Sequence, residues 1–143
     1  MSPAKIIVTL LIILIATTTF AQEIETIFEV GHSNDVTSLD FHPTKRLLAS
    51  GGRDYTVKIW DLDNWSLRRS LPNHTGTVYT VAFSPDGKFL LTGDGPNVHK
   101  WYYETEKRLA TYKIGRGYIA KVAFIDDQLF VTGCAGDMTV RSL

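Results

Sequence analysis

Gly31–Asp61, GHSNDVTSLDFHPTKRLLASGGRDYTVKIWD, decides the fold. It holds three short strand-like runs divided by turn residues. Val36–Phe41 is rich in β-formers, although Val36, Ser38 and Asp40 alternate with Thr37, Leu39 and Phe41 so that neither face is cleanly apolar. His42-Pro43-Thr44 closes that run with a turn. Leu47-Leu48-Ala49-Ser50 is the pattern of a strand buried on both faces, and Gly51-Gly52 reads as its end. Asp54 opens a tight turn into Thr56–Trp60, which alternates apolar and polar with period two. After Asp61–Asn64 breaks the chain again, Trp65–Leu71 supplies a fourth, more polar strand. Four strands with short connections predict an antiparallel meander.

The same pattern returns. His32 and His74, Phe41 and Phe83, and Pro43 and Pro85 are each 42 residues apart, and Trp60 and Trp101 are 41 apart. Val78–Phe83, Phe89–Thr92 and Asn97–Tyr102 are the strands of this second unit, with Ser84-Pro85-Asp86-Gly87 as a turn. A fainter third copy follows: Ile119–Phe124, Leu129–Gly133 and Asp137–Leu143, with Gly115 in place of the His and Leu143 in place of the Trp. A period near 42 residues points to repeated four-stranded units that bury their faces against one another.

These residues resemble the WD40 repeat. The resemblance lies in Gly31-His32, in Leu48-Ala49-Ser50-Gly51, in Asp54 six residues before Trp60, and in Trp60-Asp61. It implies an all-β, WD40-type β-propeller fold, here an incomplete arc of four-stranded antiparallel blades over 22–143, with blades at 31–71, 73–113 and 115–143. It also implies a hydrogen-bonded chain inside each blade, carried by His32, Ser50, Asp54 and Trp60 in the first and by His74, Thr92 and Trp101 in the second. The chemistry supports such a chain, because a buried indole N–H, a hydroxyl and an imidazole each need a partner. The second copy departs from the family at Gly95, which falls where Asp54 stood, and at Tyr102, which replaces Asp61. Asp94 reaches the second chain only if its turn is altered. Partners of such proteins commonly dock on the loops before the first strand and between the second and third. The matching positions are Asn34, Asp35, Arg53, Thr77 and Asp94, with Arg53 foremost because Arg is enriched at binding hot spots.

Met1–Ala21 has a different character. Lys5 precedes an apolar run, Ile6–Ile15, broken only by Thr9, and Thr19-Phe20-Ala21 places small residues around a cleavage point. The run is short for a membrane span of roughly 20 residues. It reads as a signal peptide cut after Ala21, which predicts an exported (periplasmic or secreted) protein with no membrane attachment after cleavage; an uncleaved anchor is the alternative. Residues 22–30, with Ile24, Ile27, Phe28 and Val30 apolar, are placed like the strand that closes the last blade of a propeller.

Net charge is zero, so no basic face points to nucleic acid. His42, His74 and His99 lack the paired spacing of metal ligands, and with Cys134 as the single cysteine neither a zinc site nor an internal disulfide is expected. His32, Ser50 and Asp54 contain the residue types of a hydrolase triad, but no Gly-x-Ser-x-Gly turn presents the serine. The expectation is therefore a protein- or peptide-binding scaffold without a cofactor or catalysis of its own. An alternative is the N-terminal propeller of a larger hydrolase or peptidase whose catalytic domain lies past residue 143. Propellers close with about four to eight blades. Further blades are thus expected from a longer chain or from self-association.

Overall fold

The computed structural model describes residues 31–114, 117–134 and 137–143. The expected signal peptide and the 22–30 strand lie outside them. From His32 onward the chain forms one compact unit of three antiparallel sheets. The first is β1 (Val36–Phe41), β2 (Leu47–Gly52), β3 (Val57–Asp61) and β4 (Ser66–Leu71), in that order. The second is β5 (Val78–Phe83), β6 (Leu90–Asp94), β7 (Asn97–Tyr102) and β8 (Lys107–Lys113), with a single 3-10 turn at Tyr103–Thr105 before β8. The third is β9 (Ile119–Phe124), β10 (Leu129–Cys134) and β11 (Asp137–Ser142).

The core lies between the sheets. Leu47, Ala49, Val57, Ile59 and Leu71 of the first sheet meet Val78, Val81, Phe83, Leu90, Trp101 and Tyr103 of the second in one cluster. Ala82, Leu91 and Val98 of the second sheet meet Ile119, Val122 and Phe130 of the third in another. This explains the run Leu47–Ser50: the side chains of β2 that point to the second sheet join the shared cluster. The strand does not stop at Gly51-Gly52, as the sequence suggested. It continues through both glycines, with Ser38 paired to Gly51 and Val36 to Gly52. Gly51 serves close approach rather than termination, because a Cβ there would sit 2.8 Å from Val78 Cγ1.

Polar side chains on the inner strands join one sheet to the next. Val81 N–H donates to Ser38 Oγ (3.1 Å), Phe83 N–H to Asp40 Oδ2 (2.7 Å) and Val122 N–H to Thr80 Oγ1 (3.0 Å). These bonds satisfy strand-edge donors that no neighbouring strand reaches, and they account for the imperfect alternation of β1. His42 adds a link at the opposite end. Its Nδ1 accepts from the Thr44 and Lys45 amides, so Nε2 carries the proton and donates to Gly87 O at 2.9 Å. Burial against Phe83 and Tyr103 lowers the pKa of His42 and favours this neutral ring.

Candidate functional site

In the first sheet, the β2–β3 turn and the segment entering β1 are fastened by one polar chain. Trp60 Nε1–H donates to Ser50 Oγ at 2.8 Å, and Ser50 Oγ lies 2.7 Å from His32 Nε2. An indole can only donate, so the serine hydroxyl passes its own proton to His32 Nε2. The Nδ1–H of His32 then faces both Asp54 oxygens, at 3.0 and 2.9 Å. Asp54 also accepts from Ser33 N–H (3.0 Å), Thr56 N–H (3.1 Å) and Thr56 Oγ1 (2.8 Å). Burial works to raise the Asp54 pKa, but the donors His32, Thr56 and Ser33 outweigh it and hold the carboxyl at about 2. Ser50 is 2 % exposed and its oxygen holds the indole proton, which is no position for a nucleophile.

The second sheet is wired differently. Trp101 Nε1–H donates to Thr92 Oγ1 at 2.9 Å, and Thr92 Oγ1 lies 2.8 Å from His74 Nε2. No carboxylate meets His74 Nδ1, which is buried without a well-formed hydrogen bond, although the Leu71 carbonyl lies near enough to favour the charged ring. The cause is the turn. Asp94 pairs directly with Asn97 across a two-residue connection, Gly95-Pro96, with Gly95 at φ +56. In the first sheet the connection is one residue longer, and the carboxylate comes from within it. Val36 pairs with Gly52 and Val78 with Asp94, so the carboxylate of the second sheet sits at the glycine position of the first. From there it accepts from Thr75 N–H (2.7 Å) and Thr75 Oγ1 (3.2 Å), and lies 2.8 Å from His99 Nε2. His99 Nδ1 in turn contacts Thr111 Oγ1 at 2.9 Å. Asp94 therefore does not join the His74–Thr92–Trp101 chain through its altered turn but heads a separate network with Thr75, His99 and Thr111. It is 1 % exposed, so its assignment as a partner-contacting residue is corrected: burial removes it from any binding surface.

The other loop positions gather at the strand ends where β1 and β5 begin and β2 and β6 finish. The Asn34 side chain accepts from Asp35 N–H at 2.7 Å, and Arg53 N–H donates to Asp35 O at 2.8 Å. The Arg53 and Asp35 side chains form an ion pair at 3.6 Å while staying 59 % and 71 % exposed. Thr77, on the segment entering β5, is half-buried. Sequence reasoning missed His99, Thr56, Thr75 and Thr111 in the polar networks. It also missed three tyrosines at this end: Tyr55, which is exposed in the Arg53 turn at φ 64, and the Tyr79–Tyr118 pair, with ring centroids 5.1 Å apart. The 41-residue Trp spacing was the one hint of a shorter second turn. Among the described residues no cluster of three or more His, Cys, Asp or Glu side chains is placed to hold a metal ion.

Comparison with known proteins agrees with this geometry. The family model for "WD domain, G-beta repeat" matches residues 22–61 and 65–101. Protein HIR1 of Candida albicans is 31 % identical over 127 residues, which cover 77 % of this chain and 14 % of that protein. Nuclear distribution protein PAC1 of Arthroderma benhamiae is 41 % identical over 81 residues, 50 % of this chain and 18 % of its own length. Coronin-7 of Mus musculus is 44 % identical over 63 residues, 43 % of this chain and 7 % of its own. The chain thus spans less than a fifth of each of these relatives. The structures of U3-55K and of the RRP9 WD40 repeats superpose with a TM-score of 0.74 at 21 % identity, covering 79 % of this chain and 37 % of theirs, and share the fold. WD40 repeats generally serve as protein-interaction scaffolds. With two repeats matched and two four-stranded sheets built around a His–Ser/Thr–Trp chain, the chain belongs to the WD40-repeat family.

Proposed function

We propose that this chain is the binding part of an exported, non-catalytic scaffold, and that it holds a protein or peptide partner on the loop end formed by Asn34, Asp35, Arg53 and Tyr55, with Thr77 beside them. The observation that carries the reading is the contrast within one turn. Asp54 is fixed by five hydrogen bonds from His32, Ser33 and Thr56, whereas its neighbours Arg53 and Tyr55 lie exposed to solvent. A rigid base under exposed Arg and Tyr side chains loses little conformational entropy on binding, and Arg and Tyr are enriched at interface hot spots. Export rests on Met1–Ala21, whose Lys5, apolar run and small-residue end fit a signal peptide.

The test is affinity capture with immobilised chain and with Arg53→Ala, matched for folding by circular dichroism. Loss of a captured partner with Arg53→Ala supports the reading, and equal recovery refutes the role of Arg53. For export, the N-terminal sequence of material recovered from the host medium or periplasm should begin at Gln22. Retention of the uncut N-terminus in the cytosol refutes it.

A further inference from the structure

The segments that enter the two complete sheets are each pinned by one carboxylate. Asp54 takes the Ser33 N–H and Asp94 takes the Thr75 N–H, and each of these amides directly follows the histidine of its polar chain. In both rings Nε2 accepts from a hydroxyl, so Nδ1 carries the proton, and the two histidines differ in what that Nδ1–H meets. His32 Nδ1 already faces both oxygens of Asp54. His74 is 8 % exposed, and its Nδ1 has no well-formed hydrogen bond.

Groups from four strands surround the His74 ring, the first being the Leu71 carbonyl of β4, which favours the charged ring. From β7, His99 lies 5.5 Å away in edge-to-face contact and Trp101 lies 5.3 Å away. From β8 comes Arg108, whose guanidinium sits 5.6 Å over the Trp101 ring and donates to Asn73 O at 3.3 Å. From β6 come Thr92 and Asp94. Arg108 and any charge on His99 oppose an imidazolium at His74. Asp94 favours it, but its oxygens are already shared between Thr75 and His99. Burial first, then His99 and Arg108, hold the His74 pKa down to about 4. Burial pushes the Asp94 pKa up, but His99 and Thr75 more than offset it, so this carboxyl stays an anion below the ordinary range.

We propose that His74 is an acid sensor for the segment 72–77. When Nε2 takes up a second proton at acid pH, with the Thr92 hydroxyl turning its own proton away, the charged ring draws Asp94 toward its Nδ1–H, Asp94 releases the Thr75 amide and hydroxyl, and the segment carrying Thr77 detaches from the sheet. The first sheet is the internal control, because the Asp54 carboxylate that holds the Ser33 amide already faces His32 Nδ1. The inference rests on the loop-end binding reading, since it makes part of that surface pH-dependent. Its structural core is measured without any partner.

The experiment is amide hydrogen exchange by NMR on the 15N-labelled chain from pH 7 to pH 4, corrected for intrinsic exchange, with the His74 ring followed through its 13Cε1 signal. Protection at Thr75 should fall at least tenfold in step with the His74 titration while Ser33 stays protected. In His74→Gln, which can still bond Thr92 but cannot ionise, Thr75 protection should stay flat. Constant Thr75 protection while His74 titrates, or an equal fall in His74→Gln, overturns the proposal. A second variant keeps the test decisive if His74→Gln does not fold. In His99→Gln the His74 midpoint and the loss of Thr75 protection should both move to higher pH by the same amount, and separate movement overturns the coupling. Failure to capture a partner at pH 7 would refute the loop-end reading alone.

Discussion

Replacing Trp101 by Phe tests the polar chain where it is most deeply enclosed. Trp101 is 1 % exposed, its N–H lies 2.9 Å from Thr92 Oγ1, and its ring is flanked by His74 and by the Arg108 guanidinium. Phe removes the donor and leaves the Thr92 oxygen without the N–H it accepts from, which costs about 1–2 kcal/mol. It also removes part of a bicyclic ring from a site that solvent does not enter, adding about 1–2 kcal/mol of cavity cost. A total near 3 kcal/mol is expected on these grounds. Trp60 makes the same bond at 2.8 Å but is only half-buried, so Trp60→Phe should cost about half as much. The assay is urea unfolding followed by far-UV circular dichroism, with the slope held common to the variants. Thr92→Val and the double variant complete a cycle, for which a coupling of about 1 kcal/mol is expected. Equal costs at the two tryptophans, or additivity within about 0.3 kcal/mol in the cycle, would refute the hydrogen-bonded chain as the source of the effect.

Thr132 is fully buried and its hydroxyl has no partner: β10–β11 pairing sets Arg141 opposite Phe130, where Trp60 and Trp101 stand opposite Leu48 and Leu90, so Arg141 and not the expected Leu143 holds the Trp position and no indole donates to Thr132. Thr132→Val keeps the shape and should stabilise by about 1 kcal/mol; a lower melting temperature would contradict this. Gly51→Ala should destabilise by about 1–3 kcal/mol, because the new methyl meets the stiff Val78 and Val81 side chains. An unchanged urea midpoint would show that the sheets separate more freely than the packing implies. Acid titration should separate two windows. His74 has a folded pKa near 4 against an ordinary 6.5, so the unfolded chain takes up the proton first. Its contribution is complete above pH 6.5 and is lost as pH falls to 4, by roughly 3 kcal/mol, and His74→Gln should flatten this limb of the stability curve. Asp54, at about 2 against 3.8, gives a later loss between those values. A flat stability curve between pH 6.5 and 4 in the parent chain would show that His74 is already charged when folded.

Much of the fold is legible because spacing carries it. Three copies of one strand order at intervals of 40–42 residues set out the sheets, and the resemblance to the WD40 repeat names the residues of the first polar chain. Three features were not legible. Deletion of one residue from the second turn signals only a shorter connection; that the displaced carboxylate then serves His99 instead of His74 depends on the direction of its side chain. His99 falls opposite Lys58 in the first repeat, where an exposed cation would be the natural reading. Asp94 looks like a surface residue because hairpin tips are usually solvated, yet the Thr75 amide beneath it draws the carboxylate inward. Gly51-Gly52 looks like a strand end because glycine disfavours strands, whereas here the missing side chain admits the neighbouring sheet.

The inner-strand links have a direction. Ser38 and Asp40 of the first sheet accept from amides of the second, and Thr80 of the second accepts from an amide of the third. In each case the earlier strand supplies a side chain and the later one supplies its backbone. A chain emerging N-terminus first therefore displays each row of acceptors before the strand edge that needs them has been made. Register is thereby copied forward: the placement of Ser38 and Asp40 on β1 sets where Val81 and Phe83 come to rest, and Thr80, two residues from Ala82, passes the same alignment to Val122. An error in the first strand would be inherited by its successors, whereas an error in the third would stay local.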